Sequence, residues 1–165
     1  MTGPAEYYML EHLKEHLKGK AVIFGIGNIL RSDDAAGSLL AQHLVNKVPF
    51  QVYDGGVAPE NYLGKISREN PDNIIIVDAA DFGGNPGEAR IVEGGELKTT
   101  NLFSTHNASI SMLINYLQTN CTADIIILII QPKTISLGEG LSKEVAKTLE
   151  ELQSWFSRFS SAGFR

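Results

Sequence analysis

Hydrophobic residues fall into two kinds of segment that alternate along the chain. Short unbroken apolar runs are separated by longer segments in which apolar residues recur every three or four positions. The runs predict buried strands and the periodic segments predict amphipathic helices. Four runs are clear, and a fifth segment alternates only weakly, as an edge or hairpin strand does. In chain order the predicted strands are "KAVIFGIG", "FQVYDGG", "NIIIVDAAD", "EARIVEG" and "ADIIILIIQP".

Predicted helices occupy the intervals between the strands. They cover residues 5–18, 34–45, 59–69, 106–118 and 141–159. Because the strands are apolar on both faces, the pattern predicts one α/β domain with three layers. We expect a twisted, mostly parallel sheet of about five strands with helices on both faces. The domain spans 1–165, with the first helix inside 1–19 and a frayed tail at 160–165, and a monomer is favoured.

Composition narrows the function classes without naming one. The chain has 165 residues, a net charge of −5 and no basic block, which argues against a nucleic-acid partner. The longest apolar run, Ile125–Ile130, is far shorter than the about 20 residues that span a bilayer. Charges alternate through the N-terminal segment, so it does not resemble a signal peptide. The single cysteine, Cys121, fits a reducing compartment, and a cytoplasmic location is expected.

Acidic residues follow three of the predicted strands. Asp33 and Asp34 come after the first strand, Asp54 ends the second, and Asp78 and Asp81 end the third. In open parallel sheets, ligands bind beyond the carboxyl ends of the strands. We therefore expect these acids to gather at one edge of the sheet.

The segment "GIGNILRSDDAAG", residues 25–37, has more than one interpretation. Gly25 and Gly27 after a strand, with Asp54 ending the next, are typical of a dinucleotide site. Against that, Leu30 stands where a third glycine is needed, and two adjacent aspartates repel a pyrophosphate. A purely structural interpretation makes one of those aspartates a helix N-cap and the other a solvated neighbour. In either case the glycines are expected to let the chain turn sharply.

His106 adds an imidazole to the acidic edge. It stands at the start of a predicted helix, just after Ser104 and Thr105. Two carboxylates and one imidazole from separate loops form an open cation site that suits nickel, zinc or iron. The alternative is a hydrogen-bonded structural histidine.

The remaining histidines and the thiol are weaker candidates. His12 and His16 have the i, i+4 spacing that binds metals but lack the HExxH arrangement, so a solvated helix face is expected. His43 lies beside apolar residues and is predicted to be structural. Cys121 has no evident base nearby and is predicted to be a half-buried apolar residue near the amino end of the last strand.

Four ordered motifs carry a family resemblance: "GIGNILRSDDAAG", "YDGGVAPEN", "IVDAADFGGNPGEARI" and "STHN". Together they resemble the hydrogenase maturation endopeptidases. These proteases remove a C-terminal extension from the large subunit of nickel–iron hydrogenases once nickel is installed. The resemblance runs from about residue 21 to the early 130s, and "DGGVAPEN" and "NPGEARI" are most similar to the hydrogenase 3 type.

The resemblance implies roles for particular residues. Asp34, Asp78 and His106 fall on the metal-ligand positions, and Asp54 matches an additional acid required for activity. Asp54, Asp34 and Asp78 are therefore the expected catalytic residues. The expected substrate is the hydrogenase large-subunit precursor, which itself presents the nickel, and the attacking group is expected to be a water. Ala35 departs from the glycine that usually follows the acid pair, which leaves the backbone of this loop open.

Overall fold

A five-stranded sheet forms the centre of the computed structural model, which describes residues 3–99 and 107–159. The strand order is β2-β1-β3-β5-β4. Strands β2, β1, β3 and β5 run parallel, and β4 pairs antiparallel with β5 at the edge of the sheet. The mostly parallel sheet and the edge position of β4 confirm the prediction. The strands are β1 (Ala21–Ile26), β2 (Gln51–Gly56), β3 (Asn73–Ala79), β4 (Ala89–Glu93) and β5 (Asp124–Ile130).

Helices cover both faces of this sheet, which confirms the three-layer α/β architecture. The helices α1, α2 and α5 pack on one face, and α3 and α4 pack on the other. Each face has its own apolar core, because alternate residues of the buried strands point to opposite sides. The helices are α1 (Pro4–Glu15), α2 (Ala36–Leu44), α3 (Leu63–Arg68), α4 (Asn107–Asn120) and α5 (Lys143–Phe156).

Short 3₁₀ turns precede two of the helices, where the sequence pattern predicts continuous α-helix. Ser32–Ala35 precedes α2 and Pro59–Tyr62 precedes α3. The left-handed conformation falls on Ser32, whose φ is 51°. Ala35 has φ −74° and ψ −11°, so alanine replaces the family's glycine there without backbone strain.

Glycines let α2 approach the sheet closely. A Cβ atom on Gly25 would lie 2.2 Å from the carbonyl oxygen of Gly37, and one on Gly37 would lie 2.1 Å from that of Val77. A Cβ on Gly27 would lie 2.3 Å from the carbonyl oxygen of Asp34. Neither Gly25 nor Gly27 has a positive φ. Close packing is therefore what requires glycine at these two positions, and their part in a sharp turn stays a prediction.

None of the helices in residues 3–99 and 107–159 is both long and apolar enough to cross a membrane. The monomeric state and the cytoplasmic location stay predictions. The predicted frayed tail, 160–165, lies outside the described residues.

Candidate active site

Two buried carboxylates lie at the carboxyl ends of neighbouring strands. Asp34 follows β1 in the first 3₁₀ turn, and Asp78 is the next-to-last residue of β3. Their residues are 1% and 0% exposed. A cavity of about 300 Å³ opens at this edge and brings Asp34 together with the residues that follow Asp78. Its lining consists of Asp34, Ala79, Ala80, Asp81, Pro132, Lys133, Thr134 and Ile135.

Asp33, although adjacent to Asp34, has a structural role. Its carboxylate accepts hydrogen bonds from the backbone N–H groups of Lys133 (2.8 Å), Thr134 (3.2 Å) and Ser142 (2.8 Å). The Ser142 hydroxyl donates a fourth, at 2.9 Å. Neither aspartate is the N-cap of the 3₁₀ turn or of α2, and both are buried. The interpretation of one as a cap and the other as a solvated neighbour is therefore wrong.

Asp81 contributes a negative charge to the rim of the cavity. Its carboxylate accepts hydrogen bonds from the Gly83 N–H and from the Gln131 side-chain amide, both at 3.0 Å. The bond from Gly83 is the main cause that lowers the pKa of Asp81, and the bond from Gln131 adds to it. Both bonds favour the charged form of the carboxyl.

Gln131 organises this rim and was missed by the sequence analysis. Its side chain is buried, and its carbonyl oxygen accepts hydrogen bonds from the backbone N–H groups of Phe82 (2.9 Å) and Gly84 (3.1 Å). It thereby holds the loop after β3 against the end of β5. The sequence feature that could have identified Gln131 is its position as a polar residue directly after a fully buried strand.

Asp54 lies at the same edge but is not among the residues that line the cavity. Its carboxylate accepts hydrogen bonds from the Ser38 hydroxyl, from the Gln42 side-chain amide (2.8 Å) and from the Gly56 N–H (3.0 Å). Ser38 and Gln42 belong to α2. Asp54 therefore fastens α2 to β2, next to the turn that carries Asp34.

His106, with Ser104 and Thr105, lies outside the described residues. The described chain resumes at Asn107, the first residue of α4. This helix packs on the sheet through Leu113 and Leu117 and ends shortly before β5 begins. Because β5 starts at the amino-end edge, α4 runs back across the sheet from the side of the carboxyl ends.

The other candidate residues lie elsewhere. Cys121 is half-buried between α4 and β5, at the amino ends of the parallel strands, as predicted. His43 is exposed on α2 instead of being packed against apolar residues. Both His12 and His16 approach the carboxylate of Glu93; the predicted solvated face holds for His12, which is 43% exposed, and not for His16, which is 15% exposed.

Comparison with known proteins identifies the family. A sequence profile of the hydrogenase maturation protease family matches residues 36–156. This chain belongs to the hydrogenase maturation protease family. It is 34% identical over 140 residues to the hydrogenase 3 maturation protease of Escherichia coli strain K12, covering 81% of this chain and 89% of that protein.

Solved structures of family members share the fold. The [NiFe] hydrogenase maturation protease HycI of Thermococcus kodakarensis KOD1 superposes with a TM-score of 0.73 at 33% identity, covering 89% of this chain and 97% of that one. The endopeptidase HycI of Escherichia coli gives 0.73 at 30% identity, covering 88% and 94%. The suspected family resemblance is thus confirmed. The acidic edge is accordingly the candidate active site of a protease.

Proposed function

We propose that this protein is an endopeptidase that removes a C-terminal extension from the large subunit of a nickel–iron hydrogenase after nickel insertion. Membership of a protease family makes it a hydrolase. Its relatives are named as hydrogenase maturation proteases and endopeptidases. The observation that carries the proposal is the pair of buried carboxylates, Asp34 and Asp78, at adjacent strand ends beside an open cavity.

Nickel enters this proposal as part of the substrate. The ion seated in the precursor would be held by Asp34, Asp78 and His106. Carboxylate and imidazole donors suit a divalent first-row ion, and the two described acids lie at neighbouring strand ends. A precursor without nickel offers these side chains no ion to bind. Recognition of the metal would therefore restrict cleavage to precursor whose nickel site is already occupied.

When bound, nickel polarises a nearby carbonyl or lowers the pKa of a water. The chain's own residues then orient the tail of the precursor and accept the water's proton. We assign the acid required for activity to Asp54, following the family pattern. Its contacts favour a positioning role, because Ser38 and Gln42 tie it to α2, directly after the turn that bears Asp34.

The test is incubation of this protein with nickel-loaded and nickel-free large-subunit precursor, followed by the intact mass of the precursor. We expect the mass to fall by that of a C-terminal peptide only with the nickel-loaded form. Binding without any loss of mass would contradict the protease and indicate a nickel-site chaperone. Equal cleavage of both forms would contradict the role of nickel while leaving the protease in place.

A further inference from the structure

Two histidines and a glutamate converge where the first helix meets the edge strand. His12 and His16 are one helical turn apart at the end of α1, and Glu93 is the last residue of β4. The His12 Nε2 lies 3.0 Å from the Glu93 Oε1, and the His16 Nε2 lies 3.9 Å from the same oxygen. One ligand atom from each of the three residues lies within 4.8 Å of the others.

A backbone contact orients the His16 ring. Its Nδ1 lies 3.0 Å from the carbonyl oxygen of His12. A carbonyl oxygen only accepts hydrogen bonds, so Nδ1 donates in this contact and Nε2 is the ring nitrogen that can bind a metal ion. Metal-binding histidines are commonly oriented in this way, by donating the other ring N–H to a carbonyl. The His16 side chain is only 15% exposed, so the ring is held in this orientation.

We propose that His12, His16 and Glu93 form a binding site for a divalent transition-metal ion of the zinc and nickel class. Ligand atoms about 2.0–2.1 Å from such an ion lie about 3.3 Å apart in a tetrahedral arrangement. The observed separations of 3.0 Å and 3.9 Å bracket that value. The His12 and Glu93 side chains are 43% and 42% exposed, so they can adjust to close around an ion.

This site is separate from the candidate active site and does not depend on the proposed function. Glu93 pairs with Ile126 near the start of β5, at the amino-end edge of the parallel strands. The cavity beside Asp34 lies at the opposite edge. Helix α1 packs against β4, so an ion held by His12, His16 and Glu93 would link these two elements. Binding of that ion should therefore stabilise the folded chain.

The experiment uses the full chain after treatment with a chelator and its removal. Zinc chloride and, separately, nickel chloride are titrated by calorimetry, and thermal unfolding is followed with and without each metal. We expect the His12→Gln, His16→Gln double variant to bind one ion fewer than the parent. We also expect zinc at about 100 times its Kd to raise the parent Tm by about 5–10 °C, and this contribution to be absent from the double variant.

Three matched variants separate this site from other sources of binding. His43→Gln removes an exposed histidine from α2 and should keep the full number of bound ions. Asp34→Asn alters the cavity at the other edge and should keep the metal-dependent rise in Tm. Glu93→Gln, which leaves both rings in place, should weaken binding by at least about tenfold. Equal stoichiometry in the parent and the double variant, or no binding by the parent, would overturn the proposal.

Discussion

Both ends of the sheet bring together side chains that can bind a metal ion, but the two groups differ in burial and in the elements that carry them. At the carboxyl ends, Asp34 and Asp78 are buried and come from separate loop and strand segments. At the other end, His12, His16 and Glu93 are part-exposed and stand on a helix and a strand. The first pair lies beside a cavity of about 300 Å³, whereas the second group lies where α1 packs against β4. The two proposals differ accordingly: substrate chemistry at the first and ion binding at the second.

The largest effect should come from removing either buried carboxylate at the cavity. Asp34→Asn and Asp78→Asn are expected to lower the rate of tail removal by about 10²–10⁴-fold, because each loses a negatively charged oxygen donor. The measurement is the intact mass of nickel-loaded precursor over time. Glu93→Gln, which removes a carboxylate at the opposite end of the sheet, is the matched control and should process normally. A folded Asp34→Asn protein with the parent rate would contradict the assignment.

Asp33→Ala should lower the stability of the folded chain instead of acting on the cleavage reaction directly. It would leave the backbone N–H groups of Lys133, Thr134 and Ser142 without this acceptor. Hydrogen bonds to charged groups contribute about 1.5–3 kcal/mol each, so we expect a loss of about 3 kcal/mol or more in the free energy of unfolding. That corresponds to a fall in Tm of about 6–12 °C. An unchanged Tm would show that the loop is held by other contacts.

Asp54→Asn should reduce tail removal by about 10–100-fold while precursor binding is preserved. The new amide donates where the carboxylate accepts, so it conflicts with the Gln42 amide or the Ser38 hydroxyl. If Asp54 is a positioning residue, Gln42→Ala should cause part of the same loss. If Asp54 accepts the water's proton, Gln42→Ala should shift the pH profile of the rate, because it removes a hydrogen bond that favours the charged carboxylate. Full activity of Asp54→Asn would exclude both roles.

Most of the fold could be predicted because the apolar pattern encodes it directly. The runs that became β1, β3 and β5 are buried along nearly their whole length, as parallel strands between two helical layers must be. The weak alternation of Ala89–Glu93 indicated an edge strand, and that is its place. Sequence periodicity did not predict the 3₁₀ turns that precede α2 and α3.

Long-range partners explain why the site was predicted only in part. Asp33 and Asp34 are identical neighbours, and no local pattern shows that Asp33 is bound by a backbone N–H 100 residues away. The i, i+4 spacing of His12 and His16 was evident, but the carboxylate of Glu93 reaches them only through the placement of α1 on β4. The close approach at Gly25 was likewise not evident, because its neighbour Gly37 is brought to it by the packing of α2.

The smallest effect should come from Cys121→Ser. The thiol lies between α4 and β5 at the amino ends of the strands, where its Sγ donates to the Leu117 carbonyl oxygen at 3.1 Å. A serine hydroxyl can make the same bond, so we expect a rate of tail removal within about twofold of the parent and a Tm within about 2 °C. Mass spectrometry of the enzyme during turnover tests independently whether Cys121 or another side chain becomes acylated. A covalent acyl-enzyme on any side chain would contradict attack by water, and one on Cys121 would also move the reacting group away from the acidic edge.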